Sequence, residues 1–304
     1  MITIMTTTMV SEENKTKVVN MQLNAMAKEK SFLDKMFFAD VEKVPAKDLL
    51  PDFNFCSYND HIVKVKSPDG NDIIVNNVSS NYLLLPNNEI FPKLEEELSK
   101  FGNVNIKREV KNYSSFFVDY TFDIPGNRIE LVKNETLLPR IQIQNSYNSK
   151  HLYNVRYGLY RMVCTNGLTI PESVEDFKMS HCLNNLEDII ENTLNDVAEF
   201  LLNAKELGQR FEPLFEKKVN PLELEVIVDN ILGDTKSLLS YKKEIIERIQ
   251  KENAEENVEY TLWSVYNGMN YMLQPHNNPK MTASADSRMK TDQKILDYIY
   301  TMAV

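Results

Sequence analysis

The sequence predicts an α+β fold, in which an antiparallel β-meander with packed helices is followed by a mainly helical C-terminal half. In the first half, short runs of alternating apolar and polar residues are separated by turns rich in Pro, Gly and Asn, which is typical of strands. After Val174, apolar residues recur at three and four positions, which is typical of helices. The predicted regions are a helical N-terminal arm over 1–45, an α+β core with the antiparallel sheet over 46–171, and a helical region over 172–304.

The composition is that of a soluble globular protein, because 42% of the 304 residues are hydrophobic and 26% are charged. The formal net charge of −10 argues against a surface that is basic throughout, on which non-specific binding of nucleic acid depends. A local basic groove is compatible with this charge. It is expected in the first half, because Lys93–Lys111 is rich in cations whereas Glu187–Glu199 is strongly acidic.

Cysteine usage and the lack of long apolar segments predict a cytoplasmic protein. Cys56, Cys164 and Cys182 are too scattered for a disulfide framework and form no CxxC pair, so reduced thiols are expected. The opening segment MITIMTTTMV has neither the charged nor the apolar region of a secretory signal. No run reaches the ~20 apolar residues that a membrane-spanning helix needs, so no membrane association is expected.

The element boundaries follow from turn and cap residues. A hairpin is predicted around Ser67-Pro68-Asp69-Gly70, because Pro and Gly supply the backbone angles of a turn. Pro125-Gly126-Asn127 is predicted to be a second turn, between two strands of the meander. The other predicted elements are a helix along Val18–Phe37, a helix from Asn87 or Asn88 to Gly102, strands over Asn103–Val110, Ser115–Ile124, Arg128–Leu131, Arg140–Gln144 and His151–Tyr160, and helices over Leu186–Leu201, Leu222–Leu232, Ser237–Gln250, Tyr260–Leu273 and Asp292–Met302.

No catalytic, metal or cofactor site is predicted. The sequence contains neither GxxxxGK[ST] nor GxGxxG, and its eight glycines leave few places where a backbone could cradle phosphate. The four histidines are isolated, so metal binding is not expected. Cys164 follows the cation Arg161, but no histidine lies within the motif, and a packed thiol is the simpler interpretation. A magnesium-dependent nuclease or hydrolase, the third hypothesis, lacks a spaced carboxylate motif.

Basic and aromatic residues are interleaved along the predicted strands. Single-stranded nucleic acid is held by cations that follow the phosphates and by flat rings that stack on bases. The alternative is that the aromatic residues pack the sheet while the cations keep it soluble, and composition alone favours this alternative. The predicted nucleic-acid-binding residues are Lys107, Arg108, Lys111, Tyr113, Phe117, Tyr147, Tyr153, Arg156 and Arg161, and Arg140 and Tyr160 belong to the same strands.

The segment IQNSYNSKHLYNVRYGLYRMVCTNGL resembles the central motif of DUF932, a domain-of-unknown-function family of phage and plasmid-like proteins. In that family an Asn-Ser-[His/Tyr]-[Asp/Asn]-[Gly/Ser] turn precedes an Arg-x-[Val/Met]-Cys-x-Asn-[Gly/Thr]-Leu segment. Asn148 and Ser149 replace the usual Asp and Gly of the turn. The matching residues are Asn145, Ser146, Tyr147, Asn148 and Ser149, then Arg161, Val163, Cys164, Asn166, Gly167 and Leu168.

Two further blocks extend the resemblance over residues 50–304. NNVSSNYLLLPNNEIFPKLEEEL resembles the family's strand, turn and helix before the meander, and TLWSVYNGMNYMLQPH resembles its C-terminal helix through Thr261, Trp263, Asn267 and Tyr271. The resemblance implies a phage, prophage or plasmid source and declares no activity. The order of a helix, three antiparallel strands and a helix is also similar to the core of phage single-strand annealing proteins of the Redβ, RecT and Erf classes, which act without ATP as rings or filaments.

The leading hypothesis is a phage- or plasmid-encoded protein of the host cytoplasm that binds single-stranded DNA as a homo-oligomer and promotes annealing without a cofactor. The alternative is a non-enzymatic interaction protein, such as a defence inhibitor, that binds a host protein through an acidic helical face imitating DNA. A contiguous positive groove would favour the first hypothesis, and a negative ridge the second. The residues assigned to a structural motif are Asn145, Ser146, Cys164, Asn166, Gly167, Trp263 and Asn267.

Overall fold

The computed structural model is that of an α+β protein, as predicted, with antiparallel sheets in the first half and mainly helices in the second. The chain divides into two compact units: the first contains the described residues of 1–90, 108–117 and 145–151, and the second contains the others. The three regions predicted from the sequence stay a prediction. The structure describes residues 31–52, 58–111, 113–132, 135–149, 153–161, 167–168, 177–179, 185–234, 238–256, 259–273, 278, 280–281, 283 and 285–303.

The first unit is built on a three-stranded antiparallel sheet with the strand order β1-β2-β3. A helix, α1, is described over residues 31–37 and precedes the sheet. The short helix α2 follows β1. The bounds of these elements are Val41–Pro45 for β1, Ala46–Leu49 for α2, His61–Lys66 for β2 and Asp72–Val78 for β3.

The predicted hairpin is confirmed, because β2 pairs with β3. Gly70 in its turn has φ +86°, a left-handed value that a side chain would disfavour. β1 was missed, because Val41 and Val44 are spaced by three residues and this spacing resembles a helix. Its pairing places Val41 opposite Val65, a contact that the local pattern does not contain.

The second sheet has seven strands in the order β10-β8-β7-β5-β4, with β6 paired to β7 and β9 paired to β8. Its longer strands β4, β5 and β7 each belong in part to both units, as does helix α3, Asn87–Ser99. The strands are β4 (Val104–Lys111), β5 (Ser115–Phe122), β6 (Ile129–Val132), β7 (Glu135–Ser146), β8 (Tyr153–Arg161), β9 (Gly167–Leu168) and β10 (Phe177–Met179).

Helices make up most of the described chain after β10. Asn185 caps the first of them, α4, by accepting a hydrogen bond from the backbone N–H of Asp188 at 2.9 Å. The helices predicted after residue 185 are confirmed, and the short α5 was missed; residues 18–30 of the helix predicted along Val18–Phe37 lie outside the described residues. Among the described residues, no helix is long and apolar enough to cross a membrane. The helices are α4 (Leu186–Gln209), α5 (Glu212–Glu216), α6 (Pro221–Asp234), α7 (Lys242–Glu256), α8 (Leu262–Leu273) and α9 (Ala285–Ala303).

The connection between β5 and β6 differs from the predicted hairpin. Pro125-Gly126-Asn127 forms a 3-10 turn, and β6 pairs with β7 instead of β5, with Ile129 opposite Leu137. The side chain of Asn127 donates a hydrogen bond to the carbonyl of Leu201 in α4 at 3.2 Å. A tertiary contact therefore holds this turn, and the local Pro-Gly-Asn pattern gives no sign of that contact.

Helix α4 packs on one face of the seven-stranded sheet, against β6 and β8. The hydroxyl of Tyr153 in β8 lies 3.3 Å from Thr193 Oγ1, and the ring of Tyr157 lies 5.1 Å from that of Phe200. Since side chains alternate between the two faces along a strand, the odd-numbered residues of β8 face α4 and the even-numbered ones face away from it. The face turned away from α4 is where the polar residues of these strands collect.

Candidate nucleic-acid interface

A hydrogen-bonded network lies on the sheet face opposite α4. The carboxylate of Asp119 in β5 accepts from Arg140 Nη2 at 2.6 Å and from Gln142 Nε2 at 2.8 Å, so both of its oxygens are engaged. Ile141 of β7 lies opposite Tyr157, which faces α4. Its neighbours Arg140 and Gln142 therefore project from the other face, and Asp119 projects there with them.

Arg156 extends this network to β8. It lies opposite Gln142 in the register of β7 and β8, and its Nη1 donates to Gln142 Oε1 at 3.4 Å. Only 4% of Arg156 is exposed, whereas the side chains of Arg140 and Asp119 are 14% and 19% exposed. The side chains of this face are thus partly exposed near β5 and buried at β8.

Lys107 of β4 belongs to the same face. The guanidinium of its neighbour Arg108 lies 5.5 Å from the ring of Phe37, and Phe37 contacts the ring of Phe116 in β5. Arg108 therefore shares a face with Phe116, and alternation places the exposed Lys107 on the face of Asp119. We call this surface the polar face and define it by Lys107, Asp119, Arg140, Gln142, Gln144, Asn154 and Arg156.

The charge of this sheet face is opposite in sign to that of the whole chain. Among its described residues in the second unit, Lys107, Arg140 and Arg156 are the cations, and Asp119 is one of two carboxylates. The other is Glu130 of β6, which lies at the far end and pairs with an even-numbered residue of β7. The charges of these residues of the second unit sum to +1, in a chain of formal charge −10, and the next residue on this side of β4, Glu109, is exposed and negative.

Of the cations predicted to bind nucleic acid, Lys107 and Arg156 share the polar face. Arg108 lies on the other side of β4, where it forms an ion pair with Asp34 at 3.3 Å. Tyr113 is half-buried in the turn between β4 and β5 and has φ 54°. The side chains of Lys111 and Arg161, which were also predicted to bind nucleic acid, lie outside the described residues.

Three of the aromatic residues predicted to stack on bases are buried. Phe117, Tyr147 and Tyr153 are 8%, 1% and 0% exposed. Burial raises the pKa of the Tyr153 phenol to about 12, and it raises the pKa of the Tyr147 phenol as well. None of the three rings offers a face to a base in this conformation, so the predicted stacking role does not fit them. They pack the sheet, as the alternative interpretation of the aromatic pattern held.

Asn145 lies at the centre of a buried polar cluster in the first unit. Its Nδ2 donates to the carbonyl of Leu85 and to Asn87 Oδ1, both at 2.8 Å, while Asn87 Nδ2 donates to the carbonyl of Phe37 at 3.0 Å. Ser146 is also buried, and its carbonyl accepts from the hydroxyl of Tyr82 at 3.3 Å. These contacts fix backbone carbonyls of separate segments, which is an architectural role.

The rest of the central motif is described only in part. Cys164 and Asn166 lie outside the described residues. Gly167 belongs to β9, where it lies opposite Tyr160. The structural role assigned to Cys164 and Asn166 therefore stays a prediction.

The C-terminal motif forms part of the core of the helical region. Trp263 and Asn267 of α8 are 3% and 1% exposed, and the Trp263 ring stacks on that of Phe215 with centroids 4.6 Å apart. Beside them, the carboxyl of Asp292 in α9 accepts from Asn270 Nδ2 at 3.0 Å. Burial is the main cause that raises the pKa of Asp292 to about 7.

The fold and the site define an α+β protein with a sheet that a helix covers on one face and that is polar and locally basic on the other. A family model described as Domain of unknown function (DUF932) matches residues 75–297. The chain therefore belongs to this family, as its central motif predicted. No curated protein and no solved structure matches the chain. Because the family description states no activity, function has to be inferred from the site.

Five members of the polar face were not predicted as site residues: Asp119, Arg140, Gln142, Gln144 and Asn154. The sequence pattern that could have identified three of them was present, since Arg140, Gln142 and Gln144 alternate with Ile141 and Ile143 along β7. No group of three or more His, Cys, Asp or Glu side chains within the described part of the chain is arranged to hold a metal ion.

Proposed function

We propose that this protein binds single-stranded DNA along the polar face and promotes annealing of complementary strands without ATP. The observation that carries the proposal is the gathering of Lys107, Arg140 and Arg156 on one sheet face of an otherwise acidic chain. A phosphate backbone is bound by clustered cations, and the counterions released on binding make the affinity depend on salt.

The network on this face supports the proposal by holding its cations in place. Asp119 engages Arg140 through Nη2, and a guanidinium has five N–H donors, so one carboxylate does not exhaust its capacity for hydrogen bonds. A guanidinium fixed in this way loses less side-chain entropy when it meets a phosphate. Its planar fork also suits bidentate contact with phosphate oxygens.

Three further parts of the proposal rest on the family resemblance and not on contacts: a phage or plasmid source, the host cytoplasm and a homo-oligomeric form. Burial removes Phe117, Tyr147 and Tyr153 from the proposed binding surface. The polar face of the second unit then meets the DNA.

The test is fluorescence anisotropy of a labelled single-stranded oligonucleotide, titrated with the purified protein at several salt concentrations. Lys107→Glu reverses one charge at the exposed edge of the polar face. Lys205→Glu makes the same change on α4, which lies on the opposite face of the sheet, and is the matched control. We expect Lys107→Glu to weaken binding and to lower the slope of log affinity against log salt by about one, and Lys205→Glu to leave that slope unchanged.

Annealing is measured in the same titration by adding the complementary strand to the bound oligonucleotide. Faster duplex formation than without protein supports the proposal. Absence of binding at low salt would refute it, and so would equal losses of affinity in the two lysine variants, because the polar face would then have no special part.

A second candidate function is supported by the surface of α4. Five exposed acidic residues and one exposed lysine lie along this helix. A sixth acidic residue of α4, Asp196, is half-buried, and its pKa is raised first by burial and then by the charge of Glu199. Crowded negative charge of this kind could imitate a phosphate backbone toward a DNA-binding host protein. The exposed acidic residues are Glu187, Asp188, Glu191, Glu199 and Glu206.

The two candidate functions make opposite predictions for two variants. If α4 is a DNA mimic, Glu191→Lys abolishes binding of the host partner, duplex DNA competes with the chain for that partner, and Lys107→Glu has no effect. If the chain binds single-stranded DNA, Lys107→Glu weakens binding and Glu191→Lys does not.

A further inference from the structure

Two buried amides of the polar face have polar atoms without a partner. Gln144 of β7 and Asn154 of β8 lie directly opposite each other and are 2% and 5% exposed. Among the residues that the structure describes, neither Gln144 Nε2 nor Asn154 Oδ1 has a hydrogen-bond partner. Buried polar atoms are normally satisfied, and leaving them unsatisfied lowers stability. Such a pair is therefore a candidate binding site.

The two atoms form a donor and an acceptor on neighbouring strands. Directly opposite residues of an antiparallel pair have Cβ atoms about 5 Å apart, so the two amides can meet one small planar group. The Watson–Crick edge of every unpaired base carries a donor beside an acceptor, and in a duplex these groups are already paired. The next pair along the two strands is Gln142 and Arg156, which continues the polar face toward its exposed end.

We propose that Gln144 and Asn154 form a base-recognition site, in which Gln144 Nε2 donates to an unpaired base and Asn154 Oδ1 accepts from it. The inference rests on the proposed function and deepens it, because it specifies single strands with accessible base edges as the ligand. Phosphates then bind at Lys107 and Arg140, while one base of the strand occupies the buried end of the face.

Burial of both amides predicts that binding has two steps. A strand meets the exposed end of the polar face first, in a fast step that depends on salt. The base reaches Gln144 and Asn154 only after the face opens at β8, in a slower step that depends little on salt because it involves no new phosphate contact.

The experiment is stopped-flow fluorescence with two labelled strands of equal length, one of ordinary sequence and one made of abasic residues. The ordinary strand should bind in two phases and the abasic strand in the fast phase only. At equilibrium the ordinary strand should bind about tenfold more tightly, the order of one good bidentate base contact.

The variants Asn154→Leu and Gln144→Met replace each amide by an apolar side chain of similar size. Since each removes an unsatisfied buried atom, both variants should melt at or above the temperature of the unaltered protein. They should nevertheless lose the slow phase and bind the two strands equally, with the salt slope unchanged. Asn195→Leu, at an exposed position of α4, is the control and should retain both phases.

The outcomes separate this inference from the proposed function. If both strands bind in one fast phase with equal affinity, the polar face binds phosphates, and the base-recognition site is refuted. If Asn154→Leu keeps the preference for the ordinary strand, the site is likewise refuted. If neither strand binds, the proposed function fails and this inference fails with it.

Discussion

The backbone N–H of Asn87 donates a hydrogen bond to the hydroxyl of Tyr147 at 2.8 Å, inside the first unit. Asn87 begins α3, and the first N–H groups of a helix have no partner within the helix. Tyr147 supplies such a partner, and its ring contacts Phe116 with centroids 4.7 Å apart. A residue predicted to stack on DNA is thus a buried cap for the start of a helix.

Tyr147→Phe should therefore destabilise the fold. It leaves the Asn87 N–H buried without its acceptor, which costs about 1–3 kcal/mol, while the ring still fills its place against Phe116. Urea unfolding followed by circular dichroism measures this loss. Tyr113→Phe, in the half-buried turn after β4, is the control and should shift the midpoint little. Weaker DNA binding by a Tyr147→Phe variant of unchanged stability would contradict the structural assignment.

Asn145→Ala should cost more than Tyr147→Phe. Asn145 donates two hydrogen bonds within the buried cluster, and its loss leaves the carbonyl of Leu85 and the side-chain oxygen of Asn87 each without one donor. Two such losses amount to about 2–5 kcal/mol. Thermal melts of the purified variant measure the effect, and Asn195→Ala on the surface of α4 is the matched change. A melt indistinguishable from that of the unaltered chain would show that the cluster contributes little.

Gly208→Ala should destabilise the second unit by about 1–3 kcal/mol, because it overpacks the contact between α4 and β6. A Cβ at this position would collide with Cγ2 of Ile129 and approach its Cδ1 to 2.9 Å. Gly233→Ala in α6 is the matched control, since nothing lies within 4 Å of the Cβ that it adds. That change should be neutral or stabilise the helix by up to about 1 kcal/mol. Equal melting temperatures for the two variants would contradict the predicted packing at Ile129.

Asp292→Asn should remove a pH dependence of stability. Burial raises the pKa of the Asp292 carboxyl to about 7, so it keeps its proton up to about that pH, whereas the ordinary pKa of an aspartate is 3.8. Between these values the folded state binds more protons than the unfolded state, so stability falls as pH rises from 4 to 7 and stays reduced above that. The variant keeps an acceptor for Asn270 and carries no charge.

The measurement for Asp292 is a series of thermal melts from pH 5 to pH 8. The difference in melting temperature between the Asp292→Asn variant and the unaltered chain should grow in favour of the variant as pH rises. A variant that is less stable at every pH, by a constant amount, would mean that the carboxylate is required in its charged form.

Local patterns were enough to predict the hairpin around Gly70 and the long helix α4, because turn chemistry and a 3.6-residue period are carried by neighbouring residues. They were not enough for β1, whose strand conformation comes from pairing with β2. A turn at Pro125-Gly126-Asn127 was predicted, but the pairing of its flanking strands was wrong, since β6 pairs with β7 and the turn contacts Leu201, far away along the chain.

The candidate site, too, could be predicted from local patterns only in part. Because side chains alternate between the two faces of a strand, the sequence of β8 already places Tyr153 and Arg156 on opposite faces, with Tyr153 on the face of Val155 and Tyr157. Applied strictly, this alternation would have removed Tyr153 from the predicted stacking surface. Asp119 could not be found in this way, because its role depends on β5 lying beside β7, and the sequence does not specify which strands become neighbours.

The acidic surface of α4 and the positive polar face lie on opposite sides of one sheet, and this arrangement gives the second unit an electric polarity along the sheet normal. At moderate salt, fields reach about 10 Å before they are screened. If the polar face binds DNA as proposed, a polyanion that approaches the helix side would be repelled within that range, and one that approaches the cations of the strand side would be attracted. The negative charge of α4 would then orient the second unit toward the nucleic acid before the first contact forms.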